Sequence, residues 1–483
     1  MDERSRINRL LIENTFRSGL TIISFVATLA VSVYGCDING LEGLFLLPLT
    51  FALTCAFGGQ YISYCRKSVG GLTLLLIMVL RYVITPVLIC LSNSVVPGLN
   101  VSSAGFRWAI LMMIIELITI VMASNYYWPR AIEKANTLPP IENNSQQSYK
   151  LSVFGILFLL AAAALLLTRG HLENVISHLS VWNTASTAKD ELYTYDFNAF
   201  IIIRTVVCIS LITAFGKKAQ KVKFDIGLFV ISCAVAAINI ILYSYNERAT
   251  LVETTIATLF VLLYFFPKYR KPLFIMTGIV MVILIGENFI GGTVRVGYGN
   301  QSDSTYVFRQ LSNMSELYSN NVSTEGFAYD HFEQIRSSMS LATPFSEIVH
   351  YLQFTSLPGF RLFRELFSGV PTTFSLFMDA LFGKGFILSN AGWSYYYGSF
   401  VFGWIIDIII HVIFVKLIIY FYLKRQMKQD VWVIYISVIC EIVCALGIMN
   451  NILILLATIT GMPLYLHVFK KVNDLGSKII IRK

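Results

Sequence analysis

The sequence predicts an all-α polytopic integral membrane protein, with about twelve transmembrane helices and a large helical external loop. Three observations carry that prediction. Apolar runs long enough for a bilayer recur along most of the 483 residues; 56% of residues are hydrophobic and only 13% charged, at a mean hydropathy of +0.67; and Lys and Arg gather in short clusters between the runs. An ordinary soluble domain is roughly half apolar and about a quarter charged, so a soluble globular enzyme is excluded. The formal charge of +9 reads as membrane topology and not as nucleic-acid affinity, because no basic stripe is interleaved with aromatics. The eight cysteines have no C-x-x-C spacing and lie in or beside apolar runs. They point to neither a zinc site nor a disulfide framework.

A span takes about 20 mostly apolar residues. Runs at 20–33, 44–57, 72–91, 106–122, 151–167, 200–215, 226–243, 251–266, 273–290, 397–422, 431–448 and 452–468 supply them. The first is not a cleavable signal: no small-residue cleavage site ends it, and the later runs are equally apolar. Arg4, Arg6, Arg9 and Arg17 precede the first run, Arg66 and Lys67 follow the second, and Arg130, Lys134 and Lys150 flank the connection after the fourth. Further clusters follow the sixth, eighth, tenth and twelfth runs, so both termini are expected in the cytoplasm. The chain then divides into a bundle of about nine helices over 1–290, an external cap over 291–394 and about three more helices over 395–483. Structureless loops beyond about 15 residues are uncommon, and this cap is far longer. Phe308, Leu311, Phe327, Phe332, Phe345 and Phe377 recur through it, which predicts short amphipathic helices lying on the membrane face or on the bundle.

Ionisable groups inside apolar runs are candidates for function. Arg81 and Glu116 fall near the middles of the third and fourth runs, where antiparallel neighbours would meet as an intramembrane ion pair; such a pair can serve structure alone. Asp407 and His411 are four apart on one helical face, as a hydrogen-bonded pair or a proton relay. On the external side stand Arg248, in the short turn before the eighth run, Arg295, just after the ninth, and Arg204, near the external end of the sixth; the cap adds Arg309, Arg336, Arg361 and Arg364 against a single lysine, Lys384. Guanidinium is a planar fork suited to phosphate oxygens, so Arg204, Arg248 and Arg295 are candidates for holding a lipid-linked pyrophosphate, while cap arginines also have Glu316, Glu333 and Glu365 to pair with. For a general base the segment 329–336 offers His331, held by Asp330 or another carboxylate, with His350 as a rival. No His-x-x-x-His pair or external Asp-x-Asp cluster is present, so no metal is expected.

Many spans with both ends cytoplasmic, a large late external loop, Arg248 before the eighth run and Arg295 after the ninth resemble the Wzy-type O-antigen or capsule repeat-unit polymerases. The stretch Tyr395-Tyr396-Tyr397-Gly398-Ser399-Phe400-Val401-Phe402-Gly403 is similar to the aromatic-glycine motif at which such chains return to the membrane. Related chains often carry a Glu there, and this one has Ser394 beside Trp393. The resemblance implies a GT-C-like, metal- and cofactor-independent glycosyltransferase of the bacterial inner membrane. It would move a growing glycan from undecaprenyl pyrophosphate to another lipid-linked repeat unit on the outer face, among membrane lipids and beside a chain-length regulator, with no nucleic acid. The arginines would stabilise the departing pyrophosphate and one base would activate the acceptor hydroxyl. Two rivals share much of this layout: a lipid-linked oligosaccharide flippase and an O-antigen ligase. Asn313-Met-Ser and Asn321-Val-Ser also match external glycosylation acceptors of a eukaryotic transporter.

Overall fold

The computed structural model describes residues 3–96, 99–137, 152–168, 194–222, 225–242, 248–279, 306–319, 321–352, 361–380, 388–427, 430–449 and 451–481. Among the described residues there are helices and turns and no strand, and six helices are long and apolar enough to cross a membrane. The chain is a helical membrane protein. In chain order its helices are α1 (Glu3–Tyr34), α2 (Leu46–Phe57), α3 (Tyr61–Cys65), α4 (Val69–Val79), a π-turn at Leu80–Ile84, α5 (Thr85–Ser92), α6 (Ser103–Thr137), α7 (Val153–Thr168), α8 (Thr194–Ala219), α9 (Ile226–Ile241) and α10 (Arg248–Phe265). Then come α11 (Tyr306–Ser319), α12 (Val322–Asp330), α13 (Phe332–Ser338), α14 (Thr343–Tyr351), α15 (Arg361–Leu366), α16 (Thr373–Ala380), α17 (Asn390–Gln426), α18 (Val431–Met449), α19 (Ile452–Thr460) and α20 (Met462–Ile481).

The six long spans are Asn14–Tyr34, Val69–Ser92, Ser103–Ala135, Ala199–Ala219, Asn390–Gln426 and Val431–Ile448; α2, α7, α9 and α10 supply shorter apolar helices. Two of the runs read from the sequence behave differently in three dimensions. Run 452–468 is divided at Gly461, whose φ of −84° and ψ of −123° end α19 before Pro463 follows in α20. A helix of 9 residues is too short to span. Run 397–422 lies inside the longer α17, and that helix is interrupted at Ser399, where φ is +54° and ψ −168°. The expected boundary between cap and second bundle, at 394–395, therefore falls inside the first turns of α17, which run from Asn390 to the kink.

Burial sets the order of the bundle. Within their apolar windows α18 is 89% buried and α1 only 22%, so α18 is the inner helix, packed by α17, α4 and α10, while α1 lies at the edge with Ile22, Val26, Leu29 and Val33 turned outward. An apolar outward face of this kind is what lipid requires. The approach of α4 to α18 depends on Gly70, whose added Cβ would lie 2.5 Å from the Glu441 carbonyl oxygen. Glu441 in turn accepts from the backbone N–H of Val69 (3.1 Å) and Gly70 (3.2 Å) and from Arg425 Nε (3.0 Å). It satisfies donors at the start of α4 that have no intrahelical partner.

The described residues 306–319, 321–352 and 361–380 are largely helical, as their apolar pattern predicts, but the first two helices among them do not simply lie on a surface. Helix α11 packs along α5, and α12 lies between α6 and α17. Their polar residues go inside: Gln310, Glu316, Asn321, Thr324 and Glu325 are all buried. Ile335 and Phe377 of the remaining cap helices join Trp108 of α6, Phe327 of α12 and Tyr395 and Tyr396 of α17 in a second apolar core.

Candidate functional site

The residues with the strongest claim to function meet where α12 enters the bundle. Arg81 sits on the π-turn, closed by the Thr85 backbone N–H and Oγ1 both donating to the Leu80 carbonyl, the latter at 2.9 Å. Pro86 follows and has no N–H to continue the ladder, and π-turns of this kind are frequent at functional sites. The Arg81 guanidinium is 1% exposed; its Nη2 lies 2.8 Å from Glu116 Oε2 on α6 and also bonds Glu325 Oε1 on α12. The Arg81 carbonyl accepts from Asn321 Nδ2 at 3.1 Å, so the cap grips both ends of this residue. Glu325 is delivered by a close crossing of α6 and α12 at two glycines: Gly105's Cβ position is 2.7 Å from the Gly326 carbonyl oxygen, and Gly326's is 3.1 Å from Gly105 backbone atoms.

Asp407 and His411 reach the same place from α17, both fully buried. His411 Nδ1 is 2.8 Å from the Asp407 carbonyl oxygen and 3.3 Å from Asp407 Oδ1, while Nε2 faces Glu116 Oε1 at 3.8 Å. Three carboxylates and one guanidinium leave a formal charge of −2 when the imidazole is neutral. A charge inside a membrane persists only when partnered or when it serves function, and here a cap helix supplies part of the partnership. Beside the cluster, Glu316 accepts from Ser323 Oγ, and Thr85 Oγ1 bonds Ser315 Oγ. Burial pushes the Glu316 carboxyl up to about 8, against the lowering effect of the Ser323 bonds.

The candidates expected on the external side fare differently. Asp330 accepts from the Ser102 backbone N–H and from Ser102 Oγ, each at 2.5 Å, at the start of α6. His331 Nδ1 lies 3.0 Å from the Phe327 carbonyl, and its ring stacks on Phe327 at 3.8 Å between centroids. Asp330 therefore does not hold His331, and the expected dyad is not formed: neighbours on a helical turn do not face each other. Arg204 is buried and its Nη1 donates to the Leu242 carbonyl, at the end of α9. Arg248 opens α10, but its side chain lies outside the described residues, as does Arg295 altogether. In the cap Arg336 donates to the Tyr396 carbonyl (2.9 Å) and Arg364 to the His350 carbonyl (2.8 Å), so both bind backbone.

Two features escaped sequence reasoning. Glu347 on α14 is buried and accepts from Trp393 Nε1 (3.0 Å), the Tyr397 hydroxyl (2.8 Å) and the Thr373 N–H (2.7 Å). It brings a carboxylate to the aromatic-glycine motif from a distant helix. An open cavity of about 680 Å³ also lies at the cap end of the bundle, lined by Ile38, Leu99, Asn100, Ser102, Phe106 and Asp330. Tyr329, next to Asp330 in the chain, belongs to an aromatic group with Trp108 and Tyr395, with Trp108 to Tyr395 at 5.0 Å and Tyr329 stacked on Tyr395 at 5.6 Å. No local spacing links Glu347 to Trp393, or Asp330 to Ser102, so no sequence signal could have gathered them. Comparison of the chain with protein-family models, with curated proteins and with solved structures returned no match.

Proposed function

We propose that this chain is a GT-C-like membrane glycosyltransferase that polymerises undecaprenyl-pyrophosphate-linked oligosaccharide repeat units of an O-antigen, capsule or exopolysaccharide. In this reading it works on the outer face of the bacterial inner membrane through about twelve spans, with both termini cytoplasmic. The observation that carries the reading is the cavity of about 680 Å³ between the external cap and the bundle, with the Asp330 carboxylate and the Phe106 ring on its wall. A lipid-borne sugar needs an opening at the membrane surface, rings to lie against and a carboxylate within reach of its hydroxyl. Asp330 takes the proton of the acceptor hydroxyl as that oxygen bonds the anomeric carbon; the bond from that carbon to the pyrophosphate oxygen breaks, and its electron pair leaves with the pyrophosphate. Arg248, Arg295 and Arg204 are the groups assigned to the charge that develops there. His331, with its Nδ1 turned to a carbonyl, is the lesser candidate for the base.

A second reading, a lipid-linked oligosaccharide flippase or transporter, is favoured by one observation: the buried Arg81, Glu116, Glu325, Asp407 and His411 group inside the membrane. A gel of surface polysaccharide from a strain lacking the gene separates the two. The polymerase gives single-repeat bands in place of a ladder, restored by the wild-type chain and not by Asp330→Asn or Arg248→Ala. Repeat units retained on the cytoplasmic face would identify a flippase. Unmodified lipid core with polymer left on its carrier would identify a ligase. If Arg248→Ala and Asp330→Asn both restored a full ladder, the proposed chemistry would be wrong.

A further inference from the structure

We propose that Glu116, Asp407 and His411 form a binding site for one divalent transition-metal ion, Zn²⁺ best matching the donor set, inside the bundle where the cap helix α12 docks. Ligand-capable atoms of the three residues all lie within 4.8 Å of one another, and all three side chains are buried. Among the described residues, neither Asp407 oxygen nor His411 Nε2 has a hydrogen-bond partner. Buried polar atoms are ordinarily satisfied, and these three belong to two of the residues whose ligand-capable atoms gather within 4.8 Å.

The tautomer of His411 sharpens the case. A carbonyl oxygen can only accept, so Nδ1, at 2.8 Å from the Asp407 carbonyl, carries the proton. Nε2 then presents its lone pair to Glu116 Oε1 at 3.8 Å, an arrangement that repels unless a positive charge lies between. This is the pattern of metal-binding imidazoles, whose second nitrogen is fixed by a backbone carbonyl. A proton on Nε2 would serve Glu116 and leave Asp407 only the long 3.3 Å approach of Nδ1 to Oδ1; a cation serves all three residues. With Glu116, Glu325 and Asp407 all ionised, a dication cancels the −2 they leave after Arg81, and a single proton does not. In a tetrahedral site with bonds of about 2.0–2.2 Å, ligand atoms are separated by about 3.3–3.6 Å, so the gap between Nε2 and Oε1 needs to close by only a few tenths of an ångström. Mg²⁺ and Ca²⁺ take six or more ligands, chiefly oxygens, whereas one nitrogen and two carboxylates suit Zn²⁺. Arg81, bonded to the other oxygen side of Glu116 and to Glu325, orients the site from outside and connects it to the cap. The inference stands apart from the polymerase reading, because it requires no substrate.

The full-length protein, purified in detergent and stripped with a chelator, is titrated with ZnCl2, CoCl2 and MgCl2. One Zn²⁺ per chain, a thermal midpoint raised by several degrees, the visible absorption of four-coordinate Co²⁺ and no response to Mg²⁺ are expected. Asp407→Asn and His411→Gln, where they elute as monodisperse folded protein, should weaken Zn²⁺ at least tenfold. A folded wild-type chain that takes up no Zn²⁺ and gives no Co²⁺ spectrum would overturn the proposal, as would unchanged binding in both folded variants. The wild-type spectrum decides the matter even if neither variant folds.

Discussion

Arg81 shows how one side chain can hold two parts of the molecule. It is bonded to Glu116 from a span and to Glu325 from the cap, so removing it leaves two buried carboxylates facing each other. Arg81→Ala should destabilise the protein by roughly 3–5 kcal/mol, while the triple change Arg81→Met, Glu116→Leu and Glu325→Leu should be milder than the single one, because neither carboxylate that Arg81 pairs is left behind; thermal unfolding in detergent of the wild type and the two variants checks the order. Glu316 gives a pH prediction. Its carboxyl is raised by burial from 4.5 to about 8, so between those values the folded state binds a proton that the unfolded state has released. Stability contributed by this group is therefore present at low pH and lost as pH rises through that window. Glu316→Gln should flatten the slope of the unfolding midpoint measured from pH 5 to 8. Asp330 is read the same way: Asp330→Asn keeps an acceptor for Ser102 and so the start of α6, but cannot take a proton. The expected result is normal folding with polymer formation reduced by roughly 10²–10⁴-fold, measured as ladder intensity beside protein level.

At the scale of elements, the α11–α12 hairpin and the kink in α17 decide where the charged residues stand. Helix α12 can reach Arg81 because Gly105 and Gly326 let two backbones touch; a Cβ on Gly326 would lie 2.5 Å from Val101 Cγ1. Gly326→Leu should lift the hairpin and cost about 1–3 kcal/mol, seen as faster proteolysis of the cap relative to the spans. The kink has the opposite lesson. Ser399, at φ +54° and ψ −168°, occupies a region populated almost only by glycine, with a strain of about 1–3 kcal/mol. Ser399→Gly should raise the unfolding midpoint without altering the ladder. If it lowered the midpoint, the backbone there would not be strained.

Across the whole molecule, the membrane character of the chain was legible from composition and run length, because the bilayer imposes one demand on every span: apolar side chains and internally satisfied backbone. The folded nature of the cap was legible too, from apolar residues recurring where a disordered loop would have none. Span count was less so. Run 452–468 is as apolar as its neighbours, and only Gly461 and Pro463 divide it. The alternation of Lys and Arg clusters predicts cytoplasmic termini, which reporter fusions at residues 1 and 483 would test directly; an external signal from either end would reverse the assignment.

Arg81 with Glu116, and Asp407 with His411, could be picked out from sequence because an ionisable residue in an apolar run stands alone against its background, and depth in a span follows from counting residues. That much is one-dimensional. That the two pairs belong to one cluster, that Glu325 enters it from the cap, that Asp330 turns to Ser102 and not to His331, and that Glu347 serves Trp393 and Tyr397 were decided by tertiary structure. These contacts join helices far apart in the chain, and they depend on crossings of a few ångströms set by single glycines and one kink. Hydropathy records how deep a residue lies and says nothing of which way its helix is turned.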